Sequence, residues 1–156
     1  MEKNNLNLIN LSFLISLSLL VGFISSWRLI SFNGLSPNLV LLVLISALFS
    51  GFSLFESTLI FFAGFTSLAW SPVLGVESLS LIIIASLLII SRRYLNLVGL
   101  ISLFFIITLT TILFYICNTP SLLWENPQII FIEVIINIIF AVVLIGLFRF
   151  FNIYKN

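Results

Sequence analysis

Histidine is absent from this chain of 156 residues, and cysteine occurs once, as Cys117. Without histidine, the Ser-His-Asp and Cys-His catalytic arrangements cannot be assembled. With one thiol and no imidazole, the usual nitrogen and sulfur metal sites cannot be assembled either. A lone cysteine forms no internal disulfide. Charge is nearly as scarce: charged residues are 7% of the chain, against about 25% in ordinary soluble domains. Six Lys and Arg offset five Asp and Glu for a formal net charge of +1. That leaves no clustered basic face of the kind nucleic acid requires. Gly51, Gly64, Gly75 and Gly99 are isolated, so no Gly-rich phosphate loop exists. Five scattered acids give no argument for a close carboxylate pair. An enzyme is the least favoured class, and no cofactor is expected.

What is present is apolar surface. Hydrophobic residues are 62% of the chain, where soluble domains run near 45–50%. A small domain in water leaves too much of its surface exposed to hide that fraction. Lipid removes the difficulty. The pattern predicts an all-α polytopic membrane bundle of six transmembrane helices in one domain, residues 1–156, with spans near 6–26, 38–50, 54–70, 78–91, 95–116 and 128–148. Six spans of about 20 residues would take about 120 residues, so no extramembrane catalytic domain fits.

The first run is longer than the apolar core of a signal peptide, and reads as an uncleaved helix. Trp27 and Arg28 suit a membrane–water boundary. Asn33-Gly34 and Ser36-Pro37 carry turn chemistry, and Pro37 suits the first turn of the next helix. Residues 39–50 span only about 18 Å of a hydrocarbon core near 30 Å. Gly51-Phe52-Ser53 then interrupts the pattern. Residues 38–70 are therefore either two short helices joined at Gly51 or one long kinked helix.

Charge placement decides between them, because cytoplasmic loops collect Lys and Arg. With six spans and a cytoplasmic N-terminus, Lys3, Arg92, Arg93, Arg149 and Lys155 all fall inside, and only Arg28 falls outside. Five spans would put the Arg92-Arg93 pair outside. The expectation is six spans in a bacterial inner membrane, both termini cytoplasmic, and a helical hairpin at Gly51. Helices this short must thin the bilayer, tilt little or be sheltered, and these two read as partly enclosed by the longer helices.

Ionisable residues inside a membrane are the first place to look for function. Glu56 and Glu77 both read as helix-start carboxylates that complement the helix dipole. Glu125 falls in the longest polar loop, residues 118–127, with Trp124 as an interface anchor. Glu133 and Asn137 are four apart and share one helical face. Interhelical glue is favoured for them over ligand binding. No deeper ionisable group follows, so a proton relay is not expected. Ser18, Gly22 and Ser26 form a small-xxx-small stripe, with Ser12 and Ser16 at the same spacing. Such a stripe lets helix backbones approach closely, and it could pack internally or face a partner.

Several stretches resemble the bacterial rod shape-determining protein MreD family. Ser36-Pro37-Asn38-Leu39-Val40-Leu41-Leu42 is similar to that family's proline followed by a short leucine-rich span. Gly64-Phe65 matches its third span, and Ser71-Pro72-Val73-Leu74-Gly75-Val76-Glu77-Ser78-Leu79 its loop into the fourth. Glu133-Val134-Ile135-Ile136-Asn137-Ile138-Ile139 is similar to its last helix with a buried Asn. One departure is Leu68, where the family often carries an acid four positions after the glycine that is Gly64 here. The resemblance covers about residues 37–151. It implies a non-enzymatic scaffold that acts with MreC, the actin-like MreB and the elongation peptidoglycan synthases. It gives Pro37, Gly64 and Gly75 structural roles and implies a fold like the substrate-binding component of energy-coupling-factor transporters. A vitamin- or metal-binding component of such a transporter is the alternative. It would have only Arg28, Asn33, Asn118, Trp124, Glu125 and Asn126 to offer on the outer side. Membrane lipid and partner membrane proteins are the expected contacts, with no nucleic acid and no small-molecule substrate.

Overall fold

A computed structural model describes residues 2–27, 38–68, 75–92 and 99–153. Pro37, Arg28, Asn33, Trp70, residues 71–74, Arg93 and Lys155 lie outside the described residues. The described chain is all-helical, without strands. Its elements are α1 (Glu2–Ser26), α2 (Leu39–Phe49), α3 (Leu54–Leu68), α4 (Val76–Ser91), α5 (Leu100–Asn118), α6 (Ser121–Glu125) and α7 (Pro127–Ile153).

Two of these, Leu100–Asn118 and Pro127–Phe150, are long and apolar enough to cross a membrane. Asn10–Ser26 and the whole of α2, α3 and α4 are shorter apolar stretches. Several boundaries differ from those expected. The last helix begins at Pro127, where proline's fixed φ and missing N–H suit a first helical position, and it runs to Ile153. The expected polar loop 118–127 holds a helical turn of its own, α6, closed by the Asn126 N–H on the Leu122 carbonyl at 3.1 Å.

Residues 38–68 form a hairpin of two helices. Asn38 opens α2, its Oδ1 accepting from the Leu41 N–H at 3.4 Å. Ser50 and Gly51 close it. Gly51 has φ +83°, a left-handed conformation that glycine adopts without steric cost. The Phe52 N–H then reaches back to the Ala47 carbonyl at 3.3 Å, the long bond of a Schellman ending. Two residues on, Ser53 and Glu56 form a capping box. The Glu56 N–H donates to Ser53 Oγ at 3.2 Å, and the Ser53 N–H donates to Glu56 Oε2 at 2.9 Å. One helix is thus terminated and the next started within four residues, which removes the kinked-helix alternative.

The hairpin places α2 at the centre. Every residue from Leu39 to Phe49 is buried, and α2 touches α1, α3, α4, α5 and α7. A helix that is apolar on every side is stable only when surrounded. Its partner α3 is enclosed on one face, through Ser57, Ile60, Phe61 and Gly64, and open on the other.

Contacts fix the relative directions. Ser18 meets Ile60 and Gly22 meets Gly64, so α1 and α3 run parallel. Ser46 meets Ala141 and Ser50 meets Ile145, so α2 and α7 run parallel. Ser80, at the start of α4, meets Asn118 at the end of α5, so these two are antiparallel. Ile45 and Phe49 share a crevice with Leu88, Ser91 and Ile106, which sets α4 parallel to α2. Helices α1, α3 and α5 run one way; α2, α4 and α7 run the other.

Candidate functional site

Nine polar side chains among the described residues face inward. Ser18, Ser46, Ser50, Ser57, Ser80, Thr110, Thr111, Glu133 and Asn137 are all buried. Leucines, isoleucines and phenylalanines line the outside at helical spacing. On α7 the exposed series includes Phe131, Ile135, Ile139, Val142 and Phe150; on α5 it includes Ile101, Phe104, Phe105 and Leu109. Two contacts between helices gather most of the buried polar chemistry.

The first is the crossing of α1 and α3. Ser18 is 1% exposed, and its Oγ donates to the Ile60 carbonyl at 2.5 Å. One turn on, Gly22 lies against the backbone of Gly64. A Cβ at Gly22 would run into the Gly64 carbonyl oxygen and stand 2.8 Å from Ser67 Cβ. A Cβ at Gly64 would stand 2.8 Å from Ser18 Oγ. The missing side chains are what allow the two backbones to touch. Of the two readings of the stripe, internal packing is what the structure gives for Ser18 and Gly22. Ser26 is half-buried and donates to the Phe23 carbonyl of its own helix at 2.8 Å. Ser16 likewise donates to the Ser12 carbonyl at 2.9 Å.

The second is the contact of α5 with α7, near the start of α2. Glu133 and Asn137 are 3% and 2% exposed. Both point at α5, as their shared helical face requires. The Tyr115 hydroxyl donates to Glu133 Oε2. Asn137 Nδ2 donates to Thr111 Oγ1 at 3.1 Å. Tyr115 and Thr111 are themselves four apart, so a matching i, i+4 pair on α5 meets the pair on α7. This is the interhelical glue expected of Glu133 and Asn137. The sequence reading missed Tyr115, Thr111 and Thr110; the available signal was the period-four spacing of Thr111 and Tyr115 inside an otherwise apolar run. A small cavity opens beside this contact, lined by Asn38, Thr110, Thr111, Phe114, Glu133 and Asn137. It leaves about 10 Å³ for the centre of a water molecule, on the order of one water.

The remaining candidates disperse. Gly75 is exposed just before α4, with open space around it. Glu77 and Glu125 are exposed. Glu56 belongs to its capping box. Leu68 packs against the core. Asn118 Nδ2 bridges to Ser80 Oγ and to the Phe114 carbonyl, both at 2.8 Å, which ties α5 to α4. Trp124 and Cys117 are exposed. Among the described residues, no three His, Cys, Asp or Glu side chains come together as a metal-binding group. An open, apolar crease of about 350 Å³ runs between α1 and α3, lined by Leu19, Phe23, Thr66 and Ser67. Comparison with family models, with curated proteins and with solved structures finds nothing that matches this chain.

Proposed function

We propose that this chain is a multi-pass membrane scaffold of the MreD type, a non-enzymatic subunit that holds partner membrane proteins such as MreC in the peptidoglycan-elongation machinery. In this reading it has six spans, α1 to α5 and α7, with both termini cytoplasmic. The alternation of helix directions supports an even number of crossings. The placement of Arg92 and Arg149 supports the orientation, since both fall at the end of the bundle marked by Gly51. Outward-facing apolar side chains on α1, α3, α4, α5 and α7 support lipid and neighbouring helices as the surroundings.

The observation that carries the scaffold reading is the state of the polar cluster on α5 and α7. Its side chains bond to one another, and the cavity they leave has room for about one water. A vitamin-binding component of a transporter needs a pocket of roughly 300–1,000 Å³ with convergent polar groups. The crease between α1 and α3 reaches the lower end of that size, but its walls are mainly apolar. It suits a lipid chain or a helix better than a vitamin.

Co-purification in mild detergent with MreC from the same cell tests the reading. Stable recovery of the two together is expected. Recovery of this chain alone, with MreC present and folded, would overturn it. A saturable rise in melting temperature on addition of one member of a vitamin panel would favour the transporter component instead.

A further inference from the structure

The cavity between α2, α5 and α7 has an unbalanced lining. Three donors at or beside it have acceptors. Asn137 Nδ2 donates to Thr111, and the Tyr115 hydroxyl donates to Glu133. The Thr110 hydroxyl gives its hydrogen to the Ile106 and Ile107 carbonyls, at 2.8 and 3.1 Å. Three oxygens at the cavity keep free lone pairs. Asn137 lines the cavity with a side chain 2% exposed, and its Oδ1 has no hydrogen-bond partner. Thr110 Oγ1, having donated outward, keeps its lone pairs. The Glu133 carboxylate is 3% exposed and meets no basic side chain among the described residues. Arg149, on the same helix, is sixteen residues away, about 24 Å along the axis. A buried carboxylate and an unpartnered buried carbonyl are each costly. Both would be relieved by one positively charged, oxygen-seeking occupant.

We propose that this cavity binds a single small monovalent cation of the sodium size class, held by the Glu133 carboxylate, Asn137 Oδ1 and Thr110 Oγ1. Hard cations take all-oxygen sets of this kind, with carboxylate, amide and hydroxyl donors and no nitrogen or sulfur. The volume admits an ion of about the size of one water and excludes a hydrated or bulky one. A single carboxylate matches a single positive charge, whereas a divalent ion would be left with an excess charge in a low-dielectric interior. The three ligands come from α5 and α7, so an ion there ties these two helices together beside the start of α2. The inference rests on the cavity alone and stands apart from the identity of any partner.

The test is thermal unfolding of the purified full chain in detergent. The chain is first exchanged into N-methylglucamine chloride, then titrated with NaCl at constant ionic strength. A saturable rise of the melting temperature is expected, on the order of 5 °C when sodium exceeds half-saturation about 100-fold. KCl should act more weakly, because a carboxylate is a strong-field ligand that favours the smaller ion of higher charge density. Thr110→Val keeps side-chain shape and removes one ligand, so half-saturation should move at least about tenfold higher. Glu133→Gln should abolish the sodium dependence, and if that variant fails to fold, Thr110→Val decides alone. Indifference of the native chain to sodium, potassium and N-methylglucamine would overturn the proposal and leave the cavity to a water. An undiminished sodium effect in Thr110→Val would equally overturn it, by placing the ion elsewhere.

Discussion

At Gly22 the absence of a side chain is a contact. The Gly64 carbonyl occupies the space where a Cβ would stand, and neither atom belongs to a flexible group that can swing aside. Gly22→Leu should therefore force α1 and α3 apart and lower stability by about 1–3 kcal/mol or more. A melting curve in detergent checks this. The loss should appear in the isolated chain, with no partner added, because the crossing is internal. The stripe was legible as small-xxx-small spacing, but its destination was not, since the matching Gly64 lies 42 residues on. The same limit applied to Glu133. Its face was readable from the spacing to Asn137, whereas Tyr115 passed for one more aromatic in an apolar helix. Tyr115→Phe keeps the ring and removes the hydroxyl, leaving a buried carboxylate short of a donor. It should destabilise by about 1.5–3 kcal/mol in denaturant titration, and by much less in a Glu133→Gln background. A double-mutant cycle reads that difference directly.

Among the elements, the hairpin of α2 and α3 was the most legible. Gly51 between two short apolar runs marks a helix end that glycine alone makes without strain, and Ser53 with Glu56 spells a capping box. Gly51→Ala keeps the sequence helical on both sides and should still cost about 1 kcal/mol, measured as a shift in unfolding midpoint. If the two helices were one kinked rod, the same change would instead stabilise it, so the sign of the shift is the test. What could not be read was the place of α2. Apolar residues on all sides say that a helix is surrounded, by lipid or by protein, without saying which. Neighbours supplied by α4, α5 and α7 decide for protein. The turn α6 was also hidden, because Pro120 and Pro127 around a polar stretch read as loop punctuation.

At the scale of the whole molecule, the described surface carries the large apolar side chains that a water-soluble bundle keeps inside. Hydroxyls, an amide and a carboxylate lie within, and rows of Leu, Ile and Phe lie without. Composition raised the expectation of a membrane at once, because 62% hydrophobic residues exceed what a chain of this size can bury. The pairing of helices was not legible, since apolar spans carry little information about which neighbour they face. The proposed orientation places residue 92 on the cytoplasmic side and residue 121 on the other. With Cys117 first replaced by Ser, because it is exposed, Ser121→Cys should react with an impermeant maleimide in intact cells. Arg92→Cys should react only after permeabilisation. The opposite pattern would overturn the orientation.

The enclosure of α2 also sets a timetable. About a quarter of the way along the chain, a ribosome releases an apolar helix of 11 residues, about 16 Å long and too short to rest alone across a bilayer. Its companion α3 arrives at once, but the wall formed by Ala141, Ile145 and Phe148 belongs to α7, made much later. Until that helix enters, the serines at 46 and 50 lack their acceptors and the Phe52 ring lacks its Phe148 neighbour. Assembly is therefore a closing step rather than a string of independent insertions. A chain interrupted before Pro127 leaves the α2 side chains without the wall that α7 supplies.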